Sequence, residues 1–255
     1  MVLLHGLEGS SERPYIRGMA TALNEVGWDA VAVNFRSCSG EMNLLPYSYH
    51  SGASYDLVTV LERVSQDYET IAAVGFSLGG NVLIKHLGEA GKDTPLCAGA
   101  AFSVPCDLKG SAIELTRFQN RLYMWNFLRL LKAKVEAKAQ TFPDLVDATD
   151  FDSITSFREF DDRYTAPLGG FDDAEDYWAQ SSSKGFISGV QIPTLLVQAA
   201  DDPFLSKSCY PVREADGNPH FSLEIPKYGG HVGFQKPGKY WSEDRVLAFL
   251  ADHCG

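Results

Sequence analysis

No stretch of 18 or more apolar residues occurs among the 255, so no membrane-spanning helix is expected. No leader peptide is expected either: Met1-Val2-Leu3-Leu4 is apolar but has no basic stretch before it and no cleavage site after it. Basic residues are in deficit, 22 against 33 acidic. The net charge of −11 argues against nucleic acid and anionic membrane surfaces as partners, because both repel an acidic protein. Cysteine is scarce. Cys38, Cys97, Cys106, Cys209 and Cys254 are odd in number and lack the paired spacing that holds a metal, which points to reduced thiols in a cytoplasmic protein. Internal repeats and low-complexity linkers are also missing, so the chain reads as one large domain or one domain with a sizeable insertion. Apolar residues, by contrast, make up 45% of the chain, ample for a buried core.

The apolar pattern alternates between short runs and helical periods. Strands are expected at 2–4, 29–35, 71–76 and 96–103, and helices at 15–26, 54–67 and 81–89. Short connections between them imply a parallel, doubly wound α/β sheet. From 105 to 190 the alternation stops and the text becomes helical. Residues 112–140 read as one long amphipathic helix, with Leu115, Phe118, Leu122, Trp125, Leu128 and Leu131 near helical spacing, most of them packing the insertion and a few lining a pocket. Strands resume at 193–198 and 220–225, and 241–253 reads as a closing helix. We therefore expect a core of 1–104 and 191–255, with 105–190 inserted as a helical cap above the C-terminal ends of the strands, where such sheets bind ligands.

The most informative residues are Gly75-Phe76-Ser77-Leu78-Gly79, directly after the apolar run Ile71-Ala72-Ala73-Val74. A strand turning sharply into a helix at a serine exposes that hydroxyl; this is the nucleophile elbow of α/β-hydrolases. The glycines fit because strand and helix pass very close at such a turn.

A serine hydroxyl needs a neighbouring base, and that base needs an orienting carboxylate, following in chain order Ser, Asp or Glu, His. His231, in Gly229-Gly230-His231-Val232-Gly233-Phe234, is the best base of six histidines. Two aspartates compete for the acid: Asp202, before Pro203, better fits the turn after a strand, and Asp201 then serves as a loop or capping residue. Two backbone N–H donors should hold the developing oxyanion, one from Leu78 and one from Leu7 of His5-Gly6-Leu7. His50 reads as a structural or supporting histidine and Cys38 as a small buried cysteine. This chemistry needs no metal or organic cofactor.

The segments His5-Gly6-Leu7-Glu8-Gly9-Ser10, Asn34-Phe35-Arg36-Ser37-Cys38-Ser39-Gly40-Glu41, Tyr49-His50-Ser51-Gly52 and Gly75–Asn81 resemble the bacterial YheT-like α/β-hydrolases. So do Arg158-Glu159-Phe160-Asp161-Asp162, Asp201-Asp202-Pro203-Phe204 and the glycine-rich run around His231. The resemblance covers essentially the whole chain, and the family includes plant embryogenesis-associated proteins and membrane-anchored phospholipase-like animal relatives. It implies a serine hydrolase of short- to medium-chain acyl esters, with Ser77, Asp202 and His231 as the triad. Family members carry a segment before the His-Gly strand, whereas Met1 here lies inside that strand: either the start is misplaced or truncated, or the opening strands are absent, in which case the far edge of the sheet is expected to be exposed. A thioesterase or acyltransferase would use the same residues, and a non-catalytic binding protein on the same scaffold is the rival from another class.

Overall fold

The computed structural model describes residues 1–254. Six parallel strands form one sheet in the order β2-β1-β3-β4-β5-β6. They are β1 (Val2–Leu4), β2 (Val31–Val33), β3 (Ile71–Phe76), β4 (Leu96–Phe102), β5 (Thr194–Val197) and β6 (Phe221–Glu224). Every residue of β3 is buried, because helices cover both faces; that is why the strand reads as an uninterrupted apolar run rather than an alternating one. On one face α1 (Pro14–Glu25) and α10 (Trp241–His253) deliver Ile16, Met19, Leu23, Val246 and Phe249 against Leu3, Val74 and Ala100. On the other, α2 (Ser54–Val64) and α3 (Leu78–Ala90) pack Leu57, Leu61, Leu83 and Ile84 against Leu4, Ala73 and Ala101. The chain runs outward from β1 to β2, then returns to β3 on the other side of β1. The crevice between the ends of β1 and β3 is thus the switch point where such sheets take ligands.

Between β4 and β5 the chain is helical. α4 (Leu108–Leu115) leads through a 3₁₀ turn at Phe118–Asn120 into α5 (Arg121–Thr141). The short α6 (Phe157–Phe160), a π-helical turn (Asp161–Thr165) and α7 (Ala166–Gly169) follow, then α8 (Ala174–Ser181). Leu128, Leu131, Val135, Phe151, Phe160 and Tyr164 form a separate apolar cluster inside this layer. The final 3₁₀ segment, Ser183–Gly189, lies against α3, and its Ile187 belongs to the core cluster instead. α9 (Val212–Asp216) and a small hairpin of β7 (Gln235–Lys236) and β8 (Lys239–Tyr240) complete the fold.

Four expectations need correcting. The long helix expected over 112–140 is two helices, because the chain breaks at Phe118–Asn120, where the buried Asn120 side chain donates to the carbonyls of Glu114 and Pro203. Phe118, Leu122 and Trp125 do not pack inside the insertion: they are 82%, 79% and 63% exposed. The strand expected over 29–35 stops at Val33, since Asn34 turns to accept from the Ser11 N–H and the Phe35 N–H donates to His5. Finally, the cysteines are not all reduced. Cys97, on β4, and Cys254, just after α10, form a disulfide with Cα atoms 5.9 Å apart. Packing of α10 on the sheet brings together residues 157 apart, which spacing alone could not reveal. Cys38, Cys106 and Cys209 are free and buried. Among the described residues no helix is long and apolar enough to cross a membrane.

Candidate active site

Ser77 sits between β3 and α3 with φ +52° and ψ −119°, a backbone region that side-chain-bearing residues seldom occupy. The turn is held by close approach. A Cβ on Gly75 would lie 2.5 Å from the Gly79 carbonyl oxygen, and one on Gly79 would lie 2.6 Å from the carbonyl oxygens of Leu4 and His5. No side chain fits at either position, so glycine is required by sterics and not merely favoured.

The Ser77 Oγ lies 2.9 Å from His231 Nε2. His231 Nδ1 lies 2.9 Å from Asp202 Oδ2 and 3.1 Å from Oδ1. The Asp202 carboxylate, wholly buried, is an acceptor only; it therefore fixes the proton on Nδ1 and leaves Nε2 free to accept from the serine. The Phe204 N–H holds the same carboxylate at 2.9 Å. Asp201 points elsewhere and accepts from the Gly230 N–H at 2.8 Å, tying the acid loop to the histidine loop. A second tie comes from Ser103, at the end of β4, whose hydroxyl accepts from the Val232 N–H at 3.0 Å. The Phe204 ring packs on the imidazole, with centroids 4.3 Å apart.

Leu7 and Leu78 both border the cavity above Ser77. Leu78 opens α3, so its N–H has no intrahelical acceptor and stands at the positive end of a 13-residue helix. The Leu7 N–H makes no hydrogen bond among the described residues. The loop that carries Leu7 is fixed by His5. The Phe35 N–H donates to His5 Nε2, so Nδ1 carries the proton and donates to the Gly6 carbonyl at 2.7 Å. Burial pushes the His5 pKa down to about 4, which keeps the ring neutral and this tautomer in place.

The cavity measures about 160 Å³ and lies between the elbow and the cap. Phe127, Leu131 and Val135 of α5, with Phe157, Phe160 and Trp178, make most of its wall apolar. Beyond Ser77, His231 and His50, several polar side chains that border it were not singled out in the sequence. Lys134 donates to Glu8 at 2.8 Å, and Tyr49 donates to the same carboxylate at 2.7 Å, so a cap helix is tied to the loop beside Leu7. Lys138 Nζ donates to Asn43 Oδ1 and to the carbonyls of Leu45 and Tyr47, and burial lowers its pKa to about 8. Asp161, at the π turn, accepts from Trp178 Nε1 and the Thr165 hydroxyl, yet burial raises its pKa to about 7. His50 is buried, accepts from the Gly52 N–H and meets the Tyr55 hydroxyl; burial lowers its pKa to about 4. Cys38 is buried against Lys134. Glu8 and Tyr49 lie inside the motif segments quoted above, the one signal that pointed toward this network; Lys134, Lys138 and the carboxyl environment of Asp161 left none.

A family model described as alpha/beta hydrolase fold matches residues 1–237. The Escherichia coli protein YheT is 36% identical over 261 residues, covering 99% of this chain and 76% of YheT. The chain is an α/β hydrolase. It shares its family with the YheT protein, and with the embryogenesis-associated protein EMB8 of Picea glauca, 28% identical over 262 residues, 98% of this hydrolase and 57% of EMB8. The mouse phospholipase ABHD3 is 34% identical over 237 residues, which cover 92% of this hydrolase but 58% of ABHD3. Among solved structures, the Pyrococcus furiosus esterase Pf2001 superposes with a TM-score of 0.66 at 18% identity, covering 100% of this hydrolase and 83% of that chain; the likeness is one of fold.

Proposed function

We propose that this α/β hydrolase cleaves carboxylic esters through an acyl-enzyme formed on Ser77. The observation that carries the reading is the unbroken line from Ser77 Oγ through His231 to Asp202, each link 2.9 Å, at the floor of an apolar cavity. His231 Nε2 takes the hydroxyl proton as Oγ attacks the ester carbonyl. The N–H groups of Leu7 and Leu78 hold the oxyanion. The imidazolium, steadied by Asp202, returns the proton to the leaving alcohol. Water then loses a proton to the same nitrogen as it attacks the acyl carbon, and that nitrogen returns the proton to Ser77 Oγ as the bond to the acyl group breaks and the acid leaves. The name phospholipase that ABHD3 carries supports ester hydrolysis as the reaction class.

The acyl chain is short to medium. Its basis is the cavity volume of about 160 Å³, close to the ~150 Å³ that holds a six-carbon ring in an apolar protein cavity. Each methylene buried adds about 0.8 kcal/mol until the space is filled. Rates on p-nitrophenyl esters should therefore rise from acetate, peak below about ten carbons and fall by palmitate. A fluorophosphonate probe should label Ser77. A preference for palmitate over hexanoate would overturn the acyl assignment, and failure to label would turn the reading to a binding protein. Faster turnover of thioesters than of the matched oxygen esters would reassign the substrate class to thioesters.

A further inference from the structure

One face of the cap has no role in the chemistry above. Phe118, Leu122 and Trp125 follow one another at helical spacing and are 82%, 79% and 63% exposed. Single exposed apolar side chains are ordinary, but three large ones in one stripe at the start of a helix are not. Basic side chains interleave them. Arg121 lies over the Phe118 ring at 5.7 Å and Arg129 over the Trp125 ring at 5.6 Å, whereas Arg117, beside Phe118, is paired with Glu114 at 2.8 Å. Residues 112–141 hold six basic and two acidic side chains, within a chain whose net charge is −11. The acidic total, which counted against anionic surfaces, thus conceals one helical stretch of opposite sign, although Lys134 and Lys138 within it turn inward.

The helix that carries the stripe also walls the site. α5 turns Phe127, Leu131 and Val135 into the catalytic cavity and Leu122 and Trp125 to solvent. Tyr123 packs on Phe204 at 4.8 Å, and Phe204 packs on His231, so two ring contacts separate this face from the catalytic base.

We propose that this stripe seats the hydrolase on an anionic lipid–water interface, with the aromatic and leucine side chains entering the headgroup boundary and the arginines meeting lipid phosphates. Apolar anchors flanked by arginine are what such a boundary selects, since it takes up apolar area and adds attraction for each basic group. The occupant is a lipid surface rather than a second copy, because a two-fold pairing would set Arg121 and Arg129 of the stripe against the same arginines.

The test uses the full chain carrying Ser77→Ala, so that binding is read without hydrolysis and independently of the function proposed above. Vesicles of equal parts phosphatidylcholine and phosphatidylglycerol should pellet the protein and blue-shift its tryptophan emission, more weakly at high salt and with phosphatidylcholine alone. Phe118→Ser, Leu122→Ser and Trp125→Ser together should lower partitioning by at least about tenfold. The same triple variant with Ser77 intact should keep its rate on a soluble p-nitrophenyl ester, which shows that the fold survives. No binding by the parent, or equal binding by parent and variant, would overturn the proposal. So would a dimer in sedimentation that the triple variant abolishes, since the face would then belong to a second copy.

Discussion

At the end of the sheet, backbone meets backbone: the Gly79 position is bounded by the carbonyls of Leu4 and His5, and the Gly75 position by the carbonyl of Gly79. In the cap, side chain meets side chain. Leu128, Leu131 and Val135 fill a cluster of their own, the helix is broken at Phe118–Asn120, and α6 passes into α7 through a π turn. The contrast assigns different duties to the two regions. Proton transfer needs atoms held to a fraction of an ångström, and contacts between main-chain atoms give no room to drift. A wall that only has to match an apolar ligand can be built from side chains that repack when their neighbours change. Errors in the two regions should therefore differ in kind: loss of the reaction or of the fold at the sheet, altered selectivity in the cap.

Substitutions can press on that contrast. Ser77→Ala should lower kcat by about 10⁴–10⁶ with thermal unfolding unchanged, measured by ester turnover and circular dichroism. Alanine is no worse than serine at the strained backbone, so wild-type-like turnover would dismiss the mechanism. Asp202→Asn should lower kcat by about 10⁴, because an amide can donate to Nδ1 and select the wrong tautomer. Asp201→Asn, which touches only the Gly230 N–H, should cost far less; the reverse order would exchange the two roles.

Stability gives the next comparison. Gly79→Ala forces a methyl into backbone oxygens and should cost more than about 3 kcal/mol or stop folding, read by urea titration. Leu128→Met in the cap, similar in volume, should cost under about 1.5 kcal/mol. Equal costs would erase the distinction drawn between the regions.

Asp161 sharpens it through pH. Its pKa is raised to about 7 by burial, whereas the unfolded carboxyl titrates near 4, so the folded state holds an extra proton between those values. Its contribution to stability is fully present below pH ~4 and is lost as pH rises through about 7, a change of at most about 4 kcal/mol. His5 and His50 act in the opposite sense, favouring the folded state above about 6.5 and losing that contribution as pH falls toward 4. Asp161→Asn should therefore gain on the wild type from pH 5 to pH 8, leaving the histidine effect common to both. A pH-independent gap would remove the buried acid from the account. The smallest effect is a count: before reduction three thiols should titrate in denaturant, and five after.

The sequence exposed most of what the backbone decides. β3 and the elbow were readable because burial on both faces leaves an unbroken apolar run that must end in glycines where α3 crosses. The candidates Ser77, His231, Asp202, Leu7 and Leu78 all follow the end of a strand, where such sheets take ligands. What side chains decide across distance stayed hidden. Nothing local to Lys134 indicates that it reaches a carboxylate 126 residues earlier, or that Asp161 would be sealed beside Trp178. The periodicity of 112–140 correctly suggested helix but could not tell an inward face from an outward one: Leu131 and Trp125 look alike as letters, and only packing assigns one to the cavity and the other to solvent.

The bridge between Cys97 and Cys254, 157 positions apart, closes a covalent ring that contains the cap, Asp202 and His231 and leaves Ser77 and Leu7 on the tail outside it. A protease that clips an exposed stretch of the cap, such as the turn at Leu145, would open the ring without parting the molecule. The nicked protein would run as one species until a reductant released a fragment carrying Asp202 and His231 from the piece that bears Ser77.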